Sequence, residues 1–589
     1  MHVSCAVLIK AGHRRWQGRR PGRRARSCTI KQELHNGGRA ISGGAVNGES
    51  FDTRASGARV NGDWDALIVG AGFAGLYMLH RARELGFTAR VIEAGADVGG
   101  TWYWNRYPGA RCDIESLEYS YGFDEALQQE WKWSERFAPQ PEILSYARHV
   151  AERFDLRRHI EFDRRVTRAW FDESVGAWEV GTDTGEVYRA RFVVMATGCL
   201  SSANLPSIPG LDSFAGPRYH TGQWPHEPVD FTGLRVGVIG TGSSAVQSIP
   251  VIAAQAREVH VFQRTAAYSV PAHNAPLDAD YEARVKADYR SFRARNALMP
   301  AAFGSNLNVS NDSALDASPE ERERAFAARW RTGGLGYTRA FGDIILNDDA
   351  NALAAEFVRG KIAEVVRDAD TARRLSPLQP IGCKRMCVDT RYYETFNLPH
   401  VHLVDIAATG ISEITPRGLV AAGESFELDA LVFATGFDAM TGTLLRMDMR
   451  GRGGVTLAEK WRAGPLNYLG LSIAGFPNLF TITGPGSPSV LTNMIVSIEQ
   501  HVRFIADCLA WMREHGHARI EPESAAEEKW VGHVNVVAGR TIFPGCNSWY
   551  LGANVPGKTR VFMPLVGFPA YVEKCDAVVA AGYAGFATS

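Results

Sequence analysis

The sequence predicts an α/β fold with two dinucleotide-binding, Rossmann-like domains, the second carrying a helical insertion. Three observations carry that prediction. Two glycine-rich turns each follow a short apolar run and open a helical pattern, and they share one register. A charged stretch from Ala272 to about Leu378 has helical apolar spacing. At 589 residues the chain is also too long for one core, and about 150 residues per domain suggests three or four units.

The first turn lies in WDALIVGAGFAGLYMLHRARELGFTARVIEAG. Ala66 to Val69 read as a strand, and Gly70, Gly72 and Gly75 supply G-x-G-x-x-G. Gly70 permits the tight turn, Gly72 lets the backbone approach a pyrophosphate, and Gly75 allows close helix packing, with the phosphates at the helix N-terminus. Helical spacing runs on to Gly86. Ala89 to Glu93 then form a second strand, ending in an acid suited to the two ribose hydroxyls of an adenosine.

The second turn, in LRVGVIGTGSSAVQSIPVIAAQAREVHVFQRT, uses Gly240, Gly242 and Ala245. Glu93 lies 23 positions after Gly70, and Gln263 lies 23 positions after Gly240. Loss of the carboxylate removes repulsion, and Arg264 and Thr265 offer charge-assisted bonds to a 2′-phosphate. The two sites therefore point to FAD in the first and NADPH in the second. The phrases VVMATG (Val193 to Gly198) and LVFATGFD (Leu431 to Asp438) read as strands ending in turns where the chain crosses between the two domains.

Composition narrows the partners. Lys+Arg 64 balance Asp+Glu 64, which argues against nucleic acid or an acidic membrane surface. No apolar run is long enough to predict a membrane span. The scattered cysteines read as reduced thiols in a cytoplasm rather than a disulfide framework. Cys383 and Cys387 are spaced to face each other on a helix turn, but without neighbouring histidines no metal site is expected. Before Glu33 the chain carries seven arginines between Arg14 and Arg26 and no acid. That segment predicts a disordered extension or a start codon placed too far upstream, with a transit peptide or a nucleic-acid-binding tail as alternatives.

The stretch FAGPRYHTGQWP fits F-x-G-x-x-x-H-x-x-x-W-P at Phe214, Gly216, His220, Trp224 and Pro225. Beside it stand GGTWYWNRYPGARCDIES (Gly99 to Ser116), KRMCVDTRYYETFN (Lys384 to Asn397), GPGSPSVLTNMIVSIEQH (Gly484 to His501) and NSWYLGANVPGK (Asn547 to Lys558). These phrases, in this order, resemble the flavin-dependent Baeyer–Villiger monooxygenases from about Asp65 to the C-terminal region. The N-hydroxylating and multisubstrate flavin monooxygenases share the two turns but usually lack the tryptophan-proline ending, and heteroatom oxygenation is the alternative reading.

The resemblance implies an enzyme that inserts one atom of O2 next to a ketone carbonyl, through a flavin C4a-peroxide, to give an ester or lactone. Its cofactors would be FAD and NADPH, and its partners a small ketone and O2. Arg385 would stabilise the peroxide and the developing oxyanion, and Asp113 would hold Arg385 and the nicotinamide amide. The resemblance assigns FAD to Gly70, Gly72, Gly75, Glu93, Thr101, Trp102, Tyr103, Trp104, Asp113, Tyr119, Val166 and Met494. It assigns NADP to Arg111, Cys112, Asp113, Thr241, Gly242, Ser243, Ser244, Ala245, Val246, Gln247, Arg264, Thr265, Lys384, Arg385 and Trp549. His220 reads as a coupler of domain motion rather than a general base, because no Ser or carboxylate stands at catalytic spacing.

The expected boundaries are a basic extension over 1–60, an FAD domain over 61–199 and 430–589, an NADP domain over 200–271 and 379–429, and the insertion over 272–378, with an NADP-covering loop near the C-terminus. Bulky cyclic, terpenoid, steroid or aryl ketones are favoured as substrates, and the oligomeric state stays open, a monomer included.

Overall fold

A computed structural model describes residues 60–307, 310–553 and 567–589. The basic segment before residue 60, and the NSWYLGANVPGK phrase from residue 554 onward, lie outside the described residues.

The first sheet is built around Val60–Val69, which pairs in parallel with Ala89–Ile92 on one side and Val187–Met195 on the other. Its full order is Asp448–Arg450, Val166–Asp172, Ala177–Thr182, Val187–Met195, Val60–Val69, Ala89–Ile92 and Ile160–Glu161, with Leu479–Thr481 also on Val187–Met195. Strand alternation explains the apolar run: Ala66 and Ile68 enter the core with helix Phe73–Glu84, while Leu67 and Val69 enter the opposite one. A strand buried on both faces carries no polar alternation, as expected of a parallel sheet. The long helix Met494–Glu514 packs on Phe73–Glu84, bringing Ile498, Val502 and Ile505 into the core of Leu76 and Leu79. Each such side chain, fully buried, stabilises by about 1.5–3 kcal/mol.

The second sheet is wholly parallel, in the order Val401–Asp405, Glu258–Gln263, Arg235–Ile239, Ala430–Phe433 and Arg218–His220. Helix Ser243–Ala253 follows its central strand. The connecting segments run side by side: the Asn204 N–H donates to the Gly436 carbonyl at 3.0 Å, and the Asp438 N–H to the Ser202 carbonyl at 2.8 Å.

The insertion is helical, with Ala279–Ala287, Tyr289–Ala297, Pro319–Thr332, Asp348–Val365 and Ala369–Leu375. Ser318 and Glu321 form a capping box at the third helix. Its helices divide between two cores. Tyr289 and Phe292 join the first-sheet core, and the Tyr289 hydroxyl donates to the Leu117 carbonyl at 2.6 Å. Phe326, Ala354, Val358 and Ile362 join the core of the second sheet.

The cysteine expectation needs correction. Cys383 and Cys546 form a disulfide, with Cα atoms 6.0 Å apart across 163 residues of sequence. Nor do Cys383 and Cys387 share a helix turn, since Cys387 opens the strand Cys387–Asp389. The fold brings the two residues into one buried cluster at a Cα spacing within disulfide range, which their sequence positions do not reveal.

His501 gives the fold a pH dependence. It is fully buried, its Nδ1 accepts from the Thr483 N–H at 2.9 Å, and its Nε2 faces the Tyr571 hydroxyl at 3.1 Å. Tyr571 gives its own proton to the Leu469 carbonyl at 2.8 Å, so the neutral ring donates through Nε2. Burial lowers its pKa from 6.5 to about 3. Between those values the unfolded chain holds a proton that the folded chain refuses, so stability falls as pH drops below about 6.5, by at most about 1.4 kcal/mol per pH unit. Denaturant midpoints at pH 7, 6 and 5 check this. His501→Gln loses part of that slope, and equal slopes in both proteins would refute it.

Candidate active site

At the first turn Gly70 adopts φ +103°, and a Cβ there would meet the Ala196 carbonyl oxygen at 2.8 Å. A Cβ on Gly75 would lie 1.8 Å from the Gly70 oxygen, so only glycine lets the helix sit this close to the strand. Gly72 caps helix Phe73–Glu84 without any side-chain partner, which leaves N–H groups for a phosphate. Glu93, 4% exposed, accepts from the Ala71 N–H at 2.6 Å and the Gly95 N–H at 2.7 Å. Burial raises its pKa, and those backbone bonds oppose the rise. Each carboxylate oxygen keeps a further lone pair for a ribose hydroxyl.

Thr101–Trp104 form one helical turn beside this glycine cradle. Trp102 Nε1 donates to the Tyr119 hydroxyl at 3.2 Å, and the two rings stand edge to face. Thr101 is exposed and Trp104 half-buried. Tyr103 turns its ring to His226, 4.7 Å away, with Arg106 over the same ring. Val166 lies in the core with Leu67 and Ile92. Met494 joins Cys199, Val490, Leu491 and Trp549, and it follows Asn493, whose Nδ2 donates at 2.8 Å to the Glu118 carbonyl beside Tyr119.

At the second turn Gly240 has φ +110°, and a Cβ there would meet the Ala434 oxygen at 2.5 Å. Gly242 caps helix Ser243–Ala253 without a side-chain partner, and a Cβ on it would meet nothing within 4 Å. That gap is an open cradle over free helix N–H groups. Thr241 donates to the Thr265 carbonyl at 2.8 Å, Ser244 meets Thr221 at 3.0 Å, and Ser243 lies 3.5 Å from Cys387 Sγ. Ala245 and Val246 turn their side chains into the core, so only their backbone faces the cradle. Gln247 joins the two glycine units: Oε1 accepts from the Tyr107 hydroxyl at 2.9 Å, and Nε2 donates to the Arg111 carbonyl at 3.2 Å. Arg111 in turn bonds Glu135 at 2.8 Å.

Buried Gln263 donates to the Arg374 carbonyl at 2.8 Å, while its Oε1 has no partner among the described residues. Arg264 and Thr265 are exposed. Burial, with Arg264 nearby, holds the Lys384 pKa below the usual lysine value. Neither cation makes an ion pair among the described residues, and both leave their charge uncompensated there.

Two residues before Cys387, whose Sγ lies 3.5 Å from Ser243 of the second turn, stands Arg385. Its Nε donates to Asp113 Oδ2 at 2.8 Å, its Nη2 to Asp113 Oδ1 at 2.7 Å, and its Nη1 to the Val490 carbonyl at 2.6 Å. Burial alone would lower its pKa, but Asp113 more than offsets this, and the guanidinium stays charged. Around it, burial pushes the thiols of Cys199 and Cys387 up to about 11 and about 12. Cys112 is raised as well, by burial and then by Asp113.

One neighbour escaped the sequence reading. Tyr550 is buried against Arg385, its ring 4.4 Å from that of half-buried Trp549. Burial pushes its hydroxyl up to about 12, with Arg385 opposing the rise. The only available signal was its place beside Trp549 in NSWY.

The signature residues stand apart from Arg385. Phe214 joins the core of Ile414 and Leu419, and a Cβ on Gly216 would lie 2.4 Å from the Asp429 oxygen. Trp224 stacks on Tyr219 at 5.1 Å, with half-buried Pro225 following. His220 ends an edge strand of the second sheet; its Nδ1 accepts from the Gly222 N–H at 3.0 Å, and its Nε2 lies 3.3 Å from the Thr435 hydroxyl. It therefore sits at the paired connecting segments.

The pyridine nucleotide-disulphide oxidoreductase family matches residues 67–305. A Baeyer-Villiger monooxygenase from Pseudooceanicola batsensis is 44% identical over 546 residues, which is 91% of this chain and 98% of the relative. Among solved structures, an oxidized steroid monooxygenase bound to NADP superposes with a TM-score of 0.85 at 50% identity, covering 90% of this chain and 99% of the other. OTEMO, in complex with FAD and NADP, gives a TM-score of 0.86 at 39% identity, covering 89% and 99%.

Proposed function

The chain belongs to the Baeyer–Villiger monooxygenase family, and we propose that Arg385 and Asp113 are the catalytic pair of its active site. The enzyme inserts one oxygen atom of O2 next to a ketone carbonyl, giving an ester or lactone, with NADPH as reductant. The observation that carries the assignment is the forked Arg385–Asp113 pair at 2.7 and 2.8 Å.

FAD and NADP fit the residues present. The first cradle admits no Cβ at Gly70 or Gly75 and offers uncapped N–H groups, with Glu93 to take a ribose. The second offers the open space over Gly242, the unpartnered Gln263 Oε1 and the unopposed cations Arg264 and Lys384. When bound, the nicotinamide supplies the hydride and the reduced flavin activates O2.

The protein's part is electrostatic and positional. Asp113 fixes the guanidinium plane, and Arg385 stabilises negative charge developing on the carbonyl oxygen of the substrate. Arg385 cannot lose its proton here, so it acts as a fixed cation. Gln247, Tyr107 and Arg111 lock the two cradles in register. Trp102, Tyr119, Trp549 and Tyr550 keep water from the reacting atoms, which limits loss of reducing equivalents to hydrogen peroxide.

Leu200, Met440, Leu491, Met494, Trp549 and Leu551 form an apolar cluster next to Arg385. It supports a bulky cyclic, terpenoid, steroid or aryl ketone as substrate, and we place the enzyme in the cytoplasm, with its oligomeric state left open. No helix among the described residues is long and apolar enough to cross a membrane. NADPH consumption over a panel of ketones, an amine and a sulfide, with product masses, tests the reading. A ketone product heavier by one oxygen supports it, and oxygenation of the amine alone contradicts it.

Arg264→Ala tests the 2′-phosphate site. The KM for NADPH rises by about 10–100-fold, while that for NADH changes little. Steady-state rates with both nucleotides check this, and an equal loss with both would remove Arg264 from the phosphate site.

A further inference from the structure

The disulfide stands in a telling place. Cys383 directly precedes Lys384 and Arg385, and Cys546 lies four residues before Tyr550. Because Tyr550 is buried against Arg385, the two short arms and the disulfide close a small ring: Arg385 to Cys383, across to Cys546, along to Tyr550 and back to the guanidinium. We propose that Cys383 and Cys546 are positioning residues, whose disulfide holds Trp549 and Tyr550 against Arg385 during turnover. The inference rests on the assignment of Arg385 as the catalytic cation.

Among the described residues, little else anchors this segment. It consists of two single 3-10 turns, Phe543–Gly545 and Trp549–Leu551. Their backbone bonds are local: Cys546 to Phe543 at 3.1 Å, Ser548 to Cys546 at 2.9 Å, Leu551 to Ser548 at 3.0 Å. At its start, the Ile542 N–H reaches out to the Ile345 carbonyl of the insertion at 3.1 Å. Isolated turns of this kind have little stability of their own, so their placement depends on burial of Phe543 and Tyr550 and on the covalent link. A cross-link this close to the contact confines the alternatives open to the segment, which is preorganisation.

The link is also chemically reversible. A dithiol reduces it by exchange: the enzyme disulfide gains two electrons and two protons as two thiols, and the reductant leaves as its own disulfide. Hydrogen peroxide, formed when turnover fails to oxygenate substrate, reverses this, since two thiols and one H2O2 give the disulfide and two waters. Peroxide leakage therefore restores the arrangement that limits leakage.

The experiment uses the full-length, FAD-loaded enzyme with and without dithiothreitol, beside Cys546→Ser, Cys383→Ser and Tyr550→Phe. Thiol alkylation in denaturant without reductant, followed by peptide mass analysis, shows whether the two cysteines are linked. Hydrogen exchange over 546–553 and NADP+ affinity report placement without turnover, and the H2O2 formed per NADPH reports its consequence. Reduction, or either serine substitution, is expected to accelerate exchange over 546–553, weaken NADP+ about tenfold and raise the peroxide share about threefold or more. Dithiothreitol then adds nothing further in the serine variants. Tyr550→Phe keeps the segment ordered but raises the peroxide share, which separates the hydroxyl from the tether.

Free thiols at both positions in unreduced protein would overturn the proposal. So would unchanged exchange and NADP+ affinity after reduction, a measurement that needs no variant to fold. If no ketone is oxygenated but exchange and affinity respond, the positioning stands and the Arg385 assignment fails.

Discussion

Arg385→Ala forms no measurable ester: product turnover falls by about 10³-fold or more, equivalent to about 4 kcal/mol of transition-state stabilisation. The protein still folds and stays yellow, because Arg385 bonds Asp113 and the Val490 carbonyl, not the first glycine cradle. NADPH oxidation continues at a reduced rate, with its electrons appearing as hydrogen peroxide. Arg385→Lys recovers little, since an ammonium cannot reproduce the two-pronged bond at 2.7 and 2.8 Å and has lost the third contact at 2.6 Å. Asp113→Ala is expected to resemble Arg385→Ala in product formation, and both variants lose some stability, because each leaves one largely buried charge unpaired. Gas chromatography of product and a peroxide assay on one reaction check the set. An Arg385→Ala enzyme within tenfold of wild-type turnover would show that the cation is not needed.

Gly75→Ala loses FAD. The added carbon would stand 1.8 Å from the Gly70 oxygen, a backbone atom, so the helix must move off the strand and take its phosphate-binding N–H groups with it. Such a shift costs on the order of 3 kcal/mol or more, which as binding energy is over about 10²-fold in FAD affinity. The protein purifies with little yellow colour, or fails to fold. Gly242→Ala is the internal contrast, because its added carbon meets nothing within 4 Å. That variant stays yellow and folded, and only its KM for NADPH rises, by about tenfold, as the methyl fills the pyrophosphate cradle. Absorbance at the flavin band and NADPH titration separate the two. A Gly75→Ala protein with full flavin content would show that the helix tolerates displacement.

The glycine turns were legible because they combine local rules. A strand pattern, a glycine requirement and a helix start follow one another within about ten residues, and none depends on a distant partner. The matching register of Glu93 and Gln263 was readable for the same reason. The connecting phrases ending at Gly198 and Asp438 showed their strands, but not that the segment following the first pairs with the end of the second, through Asn204 with Gly436 and Ser202 with Asp438.

Long-range features were hidden. Nothing in the spacing of Cys383 and Cys546 marks a pair 163 residues apart, and the apolar cluster that joins them is assembled from five separate segments. Tyr550 read as one more aromatic because its role depends on an arginine 165 positions earlier in the numbering. The insertion read as helix from its periodicity, while its division between two cores depends on which partners Tyr289 and Phe326 meet. In the other direction, Val166, Ala245, Val246 and Trp224 carried expectations from motif position, yet their side chains are spent on core packing. A motif fixes where the backbone goes more firmly than where a side chain points.

Arg385, a fixed cation, directs one atom of dioxygen into a ketone. Turnover of a bulky cyclic ketone with NADPH under heavy-isotope dioxygen tests it most directly, read as the isotope content of the product. The wild-type enzyme gives one labelled oxygen per ester, and Arg385→Ala leaves unlabelled, unreacted ketone. Label in the ester from Arg385→Ala at the wild-type rate, or no label from wild type across the ketone panel, would contradict it.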